Sequence, residues 1–174
     1  MSDSFLQPRL SGQSISLFPL APEHFEPLYS AASDPLIWAG HPSRLRYQKE
    51  EFSRWFEDAL LSKGALVVAD KASGQLIGSS RYYEYDKNKS EVAIGFTFLV
   101  RAAWGGEINR ELKALMLGHA FAQVKTVWFH VDASNIRSQM AMKKIGVAES
   151  HRAEKTIGRN SSTYVFYKAE RDCL

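Results

Sequence analysis

The sequence predicts an α+β fold built on a mostly antiparallel sheet with helices on both faces. Three observations point there. Hydrophobic periodicity along the chain runs in the order β-α-α-β-β-β-α-β-α-β-β, with strand-like and helix-like stretches mixed. Residues 65–100 hold three strand-like runs joined only by the polar turns 71–74 and 86–90, the mark of an antiparallel meander. The third run and the next strand, 126–132, are separated by a long amphipathic helix, which calls for a right-handed parallel crossover between two neighbouring strands. With 174 residues, 45% of them hydrophobic, the chain suits one domain over 1–174 with a proper core.

The elements follow in order. Residues 1–13 read as a lead-in, loose over 1–10. Residues 14–18 (SISLF) alternate as a strand does, and Pro22 then suits the first turn of a helix that runs to about Ala32 and stops at Asp34-Pro35. Residues 36–46 (LIWAGHPSRLR) read as an irregular loop carrying Trp38 and His41. A second helix spans 48–62, with Phe52, Trp55, Phe56, Ala59 and Leu60 as its apolar stripe and Gly64 as its stop. Residues 65–70, 75–85 and 91–100 make the meander. The helix from about Ile108 to Val124 turns Leu112, Leu115, Met116 and Ala120 to one side. In the strand 126–132 (TVWFHVD), Trp128, His130 and Asp132 share a face. Ser134 or Asn135 caps a short helix that ends at Ile145-Gly146, and strands at 149–157 and 162–167 close the chain as a hairpin.

Composition narrows the function. The formal net charge of +3 is spread along the chain with no basic block, which argues against a nucleic-acid-binding face. One cysteine, Cys173, excludes an internal disulfide and fits a reducing compartment. The opening MSDSFLQPRL lacks a signal pattern and no apolar run approaches the length of a membrane span, so the expectation is a cytoplasmic protein without a membrane partner, a monomer or a homodimer. No cluster of metal-ligand spacing is present, and no metal is expected.

The segment from Val92 to Phe121 carries the chemistry. A strand feeds the loop Arg101-Ala102-Ala103-Trp104-Gly105-Gly106-Glu107, and the loop opens a helix. The unpaired N–H groups of a helix start, with its dipole, can hold a phosphate or pyrophosphate. Adjacent glycines let a ligand approach the backbone closely. Neither G-x-x-x-x-G-K-[ST] nor G-x-G-x-x-G occurs here, which argues against a P-loop kinase or a Rossmann dehydrogenase.

With a second motif the segment becomes specific. IGFTFLVRAAWGGEINRELK followed by VDASNIRSQMAMKKIG resembles the GNAT family of acetyl-coenzyme A-dependent N-acetyltransferases over about residues 10–168, and is closest to its ribosomal-protein acetyltransferase branch. The first motif is similar to the family's Q/R-x-x-G-x-G/A loop, with Trp104-Gly105 present and Glu107 where the branch carries a later glycine. The second resembles N-x-x-[AS]-x(7)-G through Asn135, Ser138 and Gly146. Many members place a Tyr seven residues after that Asn to protonate the leaving thiolate, a position held here by Met142.

The resemblance implies a splayed, seven-stranded mixed sheet of the acyl-CoA N-acyltransferase fold. It further implies direct transfer of an acetyl group from acetyl-CoA to a primary amine: a protein N-terminus, an amino acid or a small amine. Phe98, Leu99 and Val100 are expected to offer backbone groups to the pantetheine and thioester, Arg101, Trp104, Gly105, Gly106, Glu107, Ile108 and Asn109 to surround the pyrophosphate, and Asn135 and Ser138 to touch the coenzyme arm. Similar enzymes carry a Glu five residues before the motif Asn. Here His130 holds that slot, and with a reference pKa near 6.5 it is the first candidate for general base, ahead of Glu91. Trp38, His41, Arg81 and Tyr83 are the expected acceptor wall. Met142 and Glu107 also prompt an alternative, an acyl-CoA binder or sensor without catalysis.

Overall fold

The computed structural model describes residues 5–173, as strands β1 (Leu10–Ser11), β2 (Ile15–Pro19), β3 (Ala65–Asp70), β4 (Leu76–Asp86), β5 (Glu91–Leu99), β6 (Thr126–Asp132), β7 (Ala148–Ile157) and β8 (Asn160–Glu170), and helices α1 (Phe25–Ala32), α2 (Pro35–Trp38), α3 (Lys49–Ser62), α4 (Glu107–Phe121) and α5 (Ile136–Lys144). The eight strands form one sheet in the order β1-β2-β3-β4-β5-β6-β8-β7. Every neighbouring pair is antiparallel except β5 and β6.

The strand β3 shows how alternation builds two layers. Ala65 and Val67 face a cluster of Leu28, Trp38, Phe52, Trp55 and Phe56 from α1–α3. Leu66 and Val68 face the other way, into a cluster with Leu112, Met116 and Ala120 of α4 and Met142 of α5. Both helix layers therefore rest on sheet side chains that are almost wholly shielded from water, which for a Leu or Val is about 1.5–3 kcal/mol each.

Several elements differ from the sequence expectation. The sheet has eight strands because Leu10–Ser11 pairs with β2, within the segment expected to be loose. That lead-in is packed from Phe5 onward: the Phe5 ring lies 4.8 Å from Tyr85, and its carbonyl is 2.8 Å from His119 Nε2. Residues 1–4 lie outside the described residues. Asp34 does not merely stop a helix; its side chain accepts from the Leu36 amide and caps the extra turn α2. The stop of α3 is Lys63, in the left-handed region at φ 50°, and not Gly64. Gly64 is needed for another reason: a Cβ there would come within 2.1 Å of the Tyr82 carbonyl oxygen on β4.

Two features of β5 make room for a site. It pairs with β6 only over Glu91–Ala93 with Thr126–Trp128, and beyond that the two strands part. On its other side, Gly95 pairs with Arg81 and Phe98 with Ser79, so Phe96 and Thr97 together oppose Ser80 in a β-bulge. Phe96 sits at φ 52° in this bulge. The extra residue shifts the alternation by one. Val92 and Ile94 face the α4 layer before the bulge, and Leu99 faces it afterwards, while Phe98 faces α1–α3.

Two glycines should respond with opposite sign. Gly64→Ala forces backbone against backbone and should lower stability by about 1–3 kcal/mol. Gly118→Ala, in the interior of α4 with nothing near its missing Cβ, should raise it by about 0.5–1 kcal/mol. Urea unfolding midpoints measured side by side check both signs.

Candidate active site

A cavity of about 500 Å³ fills the wedge between β5 and β6. Its walls are Ile94–Leu99 of β5, Phe129–Asp132 of β6, the loop and first turns of α4, and the facing side of α5. It continues through the sheet to the α2–α3 loop, where Trp38, His41 and Arg46 line it beside Asn160 and Tyr164 of the β7–β8 hairpin. One space therefore joins the two faces of the sheet.

At the α4 end, the Trp104 indole donates to the Leu99 carbonyl (2.9 Å) and fixes the loop against β5. Gly105 adopts φ 70°, and nothing lies within 4 Å of where its Cβ would be. Gly106 precedes α4 with no side chain capping the helix start, so the first amides stay free for a ligand. Glu107 turns away: its carboxylate is 81% exposed and meets Arg110 at 3.3 Å. The later-glycine position thus presents a backbone amide to the loop and sends its negative charge to solvent. Asn135 is buried and accepts from the Ser138 amide at 3.2 Å, so both residues are fixed at the start of α5 beside the cavity. The free amides, the open glycines and a polar α5 N-terminus fit a pyrophosphate with an amide-bearing arm.

At the middle of the wedge, Tyr83 of β4 reaches across to β6. Its hydroxyl is 2.7 Å from His130 Nδ1. Gly95 leaves space for this ring; a Cβ there would come within 3.0 Å of Tyr83 Cε1. The imidazole also packs edge-on against Phe166, with centroids 4.6 Å apart. Burial lowers the His130 pKa to about 4, so the ring is neutral at ordinary pH. His41 is lowered further, to about 3, by burial and then by the charges of Arg46 and Arg137. Burial pushes the Tyr83 hydroxyl upward, which keeps it a neutral donor or acceptor.

The sequence model of the acetyltransferase (GNAT) domain matches residues 15–148. The chain belongs to the GNAT acetyltransferase family. Membership makes it an acetyl-CoA-dependent acetyltransferase. A search of curated protein sequences finds no match. Among solved structures, the chain is similar to a GCN5-related N-acetyltransferase from Brucella melitensis (18% identity, 94% of this chain and 79% of that one, TM-score 0.80). It is also similar to RimJ from Mycobacterium smegmatis in complex with CoA-disulfide (13% identity, 97% and 88%, TM-score 0.69). A third similar structure is a spermidine N-acetyltransferase SpeG chimera from Vibrio cholerae and hSSAT (14% identity, 92% and 97%, TM-score 0.68). At these identities the likeness speaks for the fold alone.

In this GNAT protein most of the expected residues converge. Phe98, Leu99, Trp104, Gly105, Gly106, Glu107, Asn109, Asn135, Ser138, Trp38, His41, Tyr83 and His130 all line the cavity. Val100, Arg101 and Ile108 do not. Arg101 is engaged by Asp34 at the α2 N-terminus, and Ile108 packs on the α4-side core. Two further expectations need correction. Arg81 lies behind the wall, stacked 3.9 Å over the Phe96 ring, because its β4 position points it at α3. Glu91 sits at the closed end of the wedge, where the Trp128 indole donates to it at 2.9 Å, and is outside the cavity.

Sequence reading missed Lys113, Arg46, Arg137 and Asp132, all of which line the cavity. Arg137 stacks 3.8 Å over Trp104 and donates to the Ile37 carbonyl, tying α5 to α2. Its place two residues after the motif Asn was the available clue.

The two neutral histidines set an acid dependence. In the unfolded chain each takes a proton near about 6.5. In the folded protein His130 does so only near about 4 and His41 near about 3. The folded state binds fewer protons in between, so their contribution is complete above about 6.5 and is lost as the pH falls through the folded values. Urea midpoints should decline between about pH 7 and about pH 4.5, the window in which histidines and not carboxylates titrate. His130→Phe should flatten that decline. An identical slope in the variant would mean that burial of His130 is not a cause.

Proposed function

We propose that the protein is an N-acetyltransferase that moves the acetyl group of acetyl-CoA directly onto a primary amine, of a protein N-terminus, an amino acid or a small molecule. The observation that carries this reading is the Tyr83–His130 pair at the waist of a cavity open to both faces of the sheet. One end offers free amides for a pyrophosphate. The other end, around Trp38, His41, Arg46, Asn160 and Tyr164, has room for an acceptor. Acetyl-CoA is the acetyl donor, held by the α4 amides, by the unpaired edge of β5 over Phe98 and Leu99, and by Ser138. The similar SpeG chimera is a spermidine N-acetyltransferase by description, which supports an amine as acceptor class here.

An amine must be neutral to attack and must lose a proton as the new C–N bond forms. With Nδ1–H donating to the Tyr83 hydroxyl oxygen, Nε2 of His130 keeps its lone pair for that proton. Tyr83 fixes the ring and the tautomer. Glu91, bound to Trp128 away from the cavity, takes no part in this reading. Arg81 has no contact with the acceptor and acts through Phe96, whose ring it covers.

Three measurements test the reading. Acetyl-CoA should raise the melting temperature, since a ligand held only by the folded state stabilises it. Gly105→Val should weaken that effect through its φ of 70° and the space it fills. A mass-spectrometric search after incubation with acetyl-CoA and a library of amines and peptides should find N-acetylated products. Binding without any product would return the chain to the class of acyl-CoA sensors. With an acceptor in hand, His130→Ala should lower kcat by about 10²-fold at unchanged CoA affinity. The parent's acid limb should fall near about 4, below the range of an unperturbed imidazole. Parent-like turnover in the variant would remove His130 from the reaction.

A further inference from the structure

The mechanism so far leaves Lys113 unused. Lys113 points from α4 into the cavity and is only 5% exposed. Its Nζ donates to Thr97 Oγ1 at 2.9 Å, and Thr97 Oγ1 lies 2.8 Å from Ser80 Oγ. The Phe129 ring is 5.5 Å from the ammonium. A lysine is almost never this buried without a carboxylate. Burial is the one influence on its pKa, which falls to about 8, so the group carries a proton at neutral pH and can release it.

Its position is informative. Seven residues past Gly106, it lies roughly 10 Å along α4 from the helix start, too deep to share a pyrophosphate held there. It stands at the rung of Thr97 on β5 and Phe129 on β6. His130 is the next residue on β6 and points to the opposite face. The two groups therefore flank the wedge, the cation on the side of α4 and the imidazole on the side of Tyr83.

The other candidates for delivering a proton to a departing sulfur fall short. Met142 lines the cavity but has no proton to give. The Tyr83 hydroxyl accepts from His130 and keeps its own proton, but it stands on the His130 side of the wedge, and burial makes it a weaker acid than an ordinary phenol. Tyr164 pairs with Asp132 in the sheet, and its side chain lies on the face away from α4.

We propose that Lys113 is the acid of the transfer reaction, giving the proton on Nζ to the sulfur of CoA as the thioester breaks. This rests on the acetyl-transfer reading above. The amine nitrogen bonds the acetyl carbon, and the carbon–sulfur bond breaks with its electron pair on sulfur. Sulfur takes the Lys113 proton. The amine's surplus proton leaves through His130 to solvent, and Lys113 regains one from solvent after CoA departs. The Thr97–Ser80 hydroxyl pair holds the ammonium in place and accepts from it without neutralising it.

The test uses free CoA and needs no acceptor. An ammonium beside the sulfur should lower the thiol pKa of bound CoA by about one unit or more. The thiolate absorbance near 240 nm, followed against pH for the CoA complex, reads that pKa. Lys113→Met keeps the buried stem without the charge, and such exchanges are usually tolerated by the fold. Lys113→Gln keeps a hydrogen bond to Thr97 but has no proton to transfer. Both variants should bind CoA and should shift the thiol pKa upward together. With an acceptor, both should lose about 10²-fold in kcat and lose the alkaline limb that the parent shows near about 8. A bound thiol that titrates identically in parent and variants would overturn the proposal, as would a Gln variant that restores parent kcat, because Lys113 would then be a structural anchor for Thr97. A parent that binds no CoA would overturn the coenzyme reading itself.

Discussion

The structure depends on two neighbouring strands that stop pairing. After Ala93 and Trp128, β5 and β6 keep separate company: β5 stays with β4, and β6 stays with β8 as far as Asp132 and Tyr164. A sheet normally satisfies its backbone groups by closing such a gap, because buried unpaired N–H and C=O groups are costly. Here the gap is held open from both sides. The bulge at Phe96 and Thr97 bends β5 away, and Trp104 is clamped to the Leu99 carbonyl at the wider end. The unpaired edge that results is a ready partner for a ligand with amides of its own.

Phe96 links this opening to the rest of the molecule. Its φ of 52° is unusual for a residue with a large side chain and is sustained by its surroundings. Arg81 covers one part of the ring, Tyr83 meets its edge at 5.2 Å, and the Gly158 turn of the last hairpin comes close to it. The Arg81 guanidinium keeps two nitrogens without protein partners in this setting. Electrostatics of the wedge follow from the same enclosure. Low polarity leaves His130 and His41 neutral and makes Lys113 a weaker base than an exposed lysine.

Much of this was legible in the chain. The meander, the crossover and both motifs lie in contiguous segments whose periodicity is local, and the loop at Gly105 and the cap at Asn135 follow from residue chemistry at fixed spacing. Three things were not legible. The bulge changes the parity of β5 partway along, so no single alternation assigns Phe96, Thr97 and Phe98 to faces. Lys113 looks like any helix lysine until the tertiary fold places Thr97 opposite it. Glu91 and Arg81 are plausible by residue type, yet one lies where the strands still pair and the other behind a ring. Strand β1 escaped because two residues carry no period, and it forms only because β2 is there to receive it.

The two ends of the cavity are furnished by different lengths of chain. The end toward α4 comes from one continuous stretch, Phe98 to Met142, in which each part braces the next. The opposite end is assembled from the α2–α3 loop and the tip of the last hairpin, which is joined to that loop by Asn160 and Ser43 and to α3 by Arg159 and Asp58. Those two joints are exposed or partly so, and the ion pair is of a kind that contributes little to stability. Substitutions at the rim joints therefore cost little stability, while the inner end rests on buried contacts. A scaffold divided in this way keeps one half of its chemistry constant and lets the other half diversify.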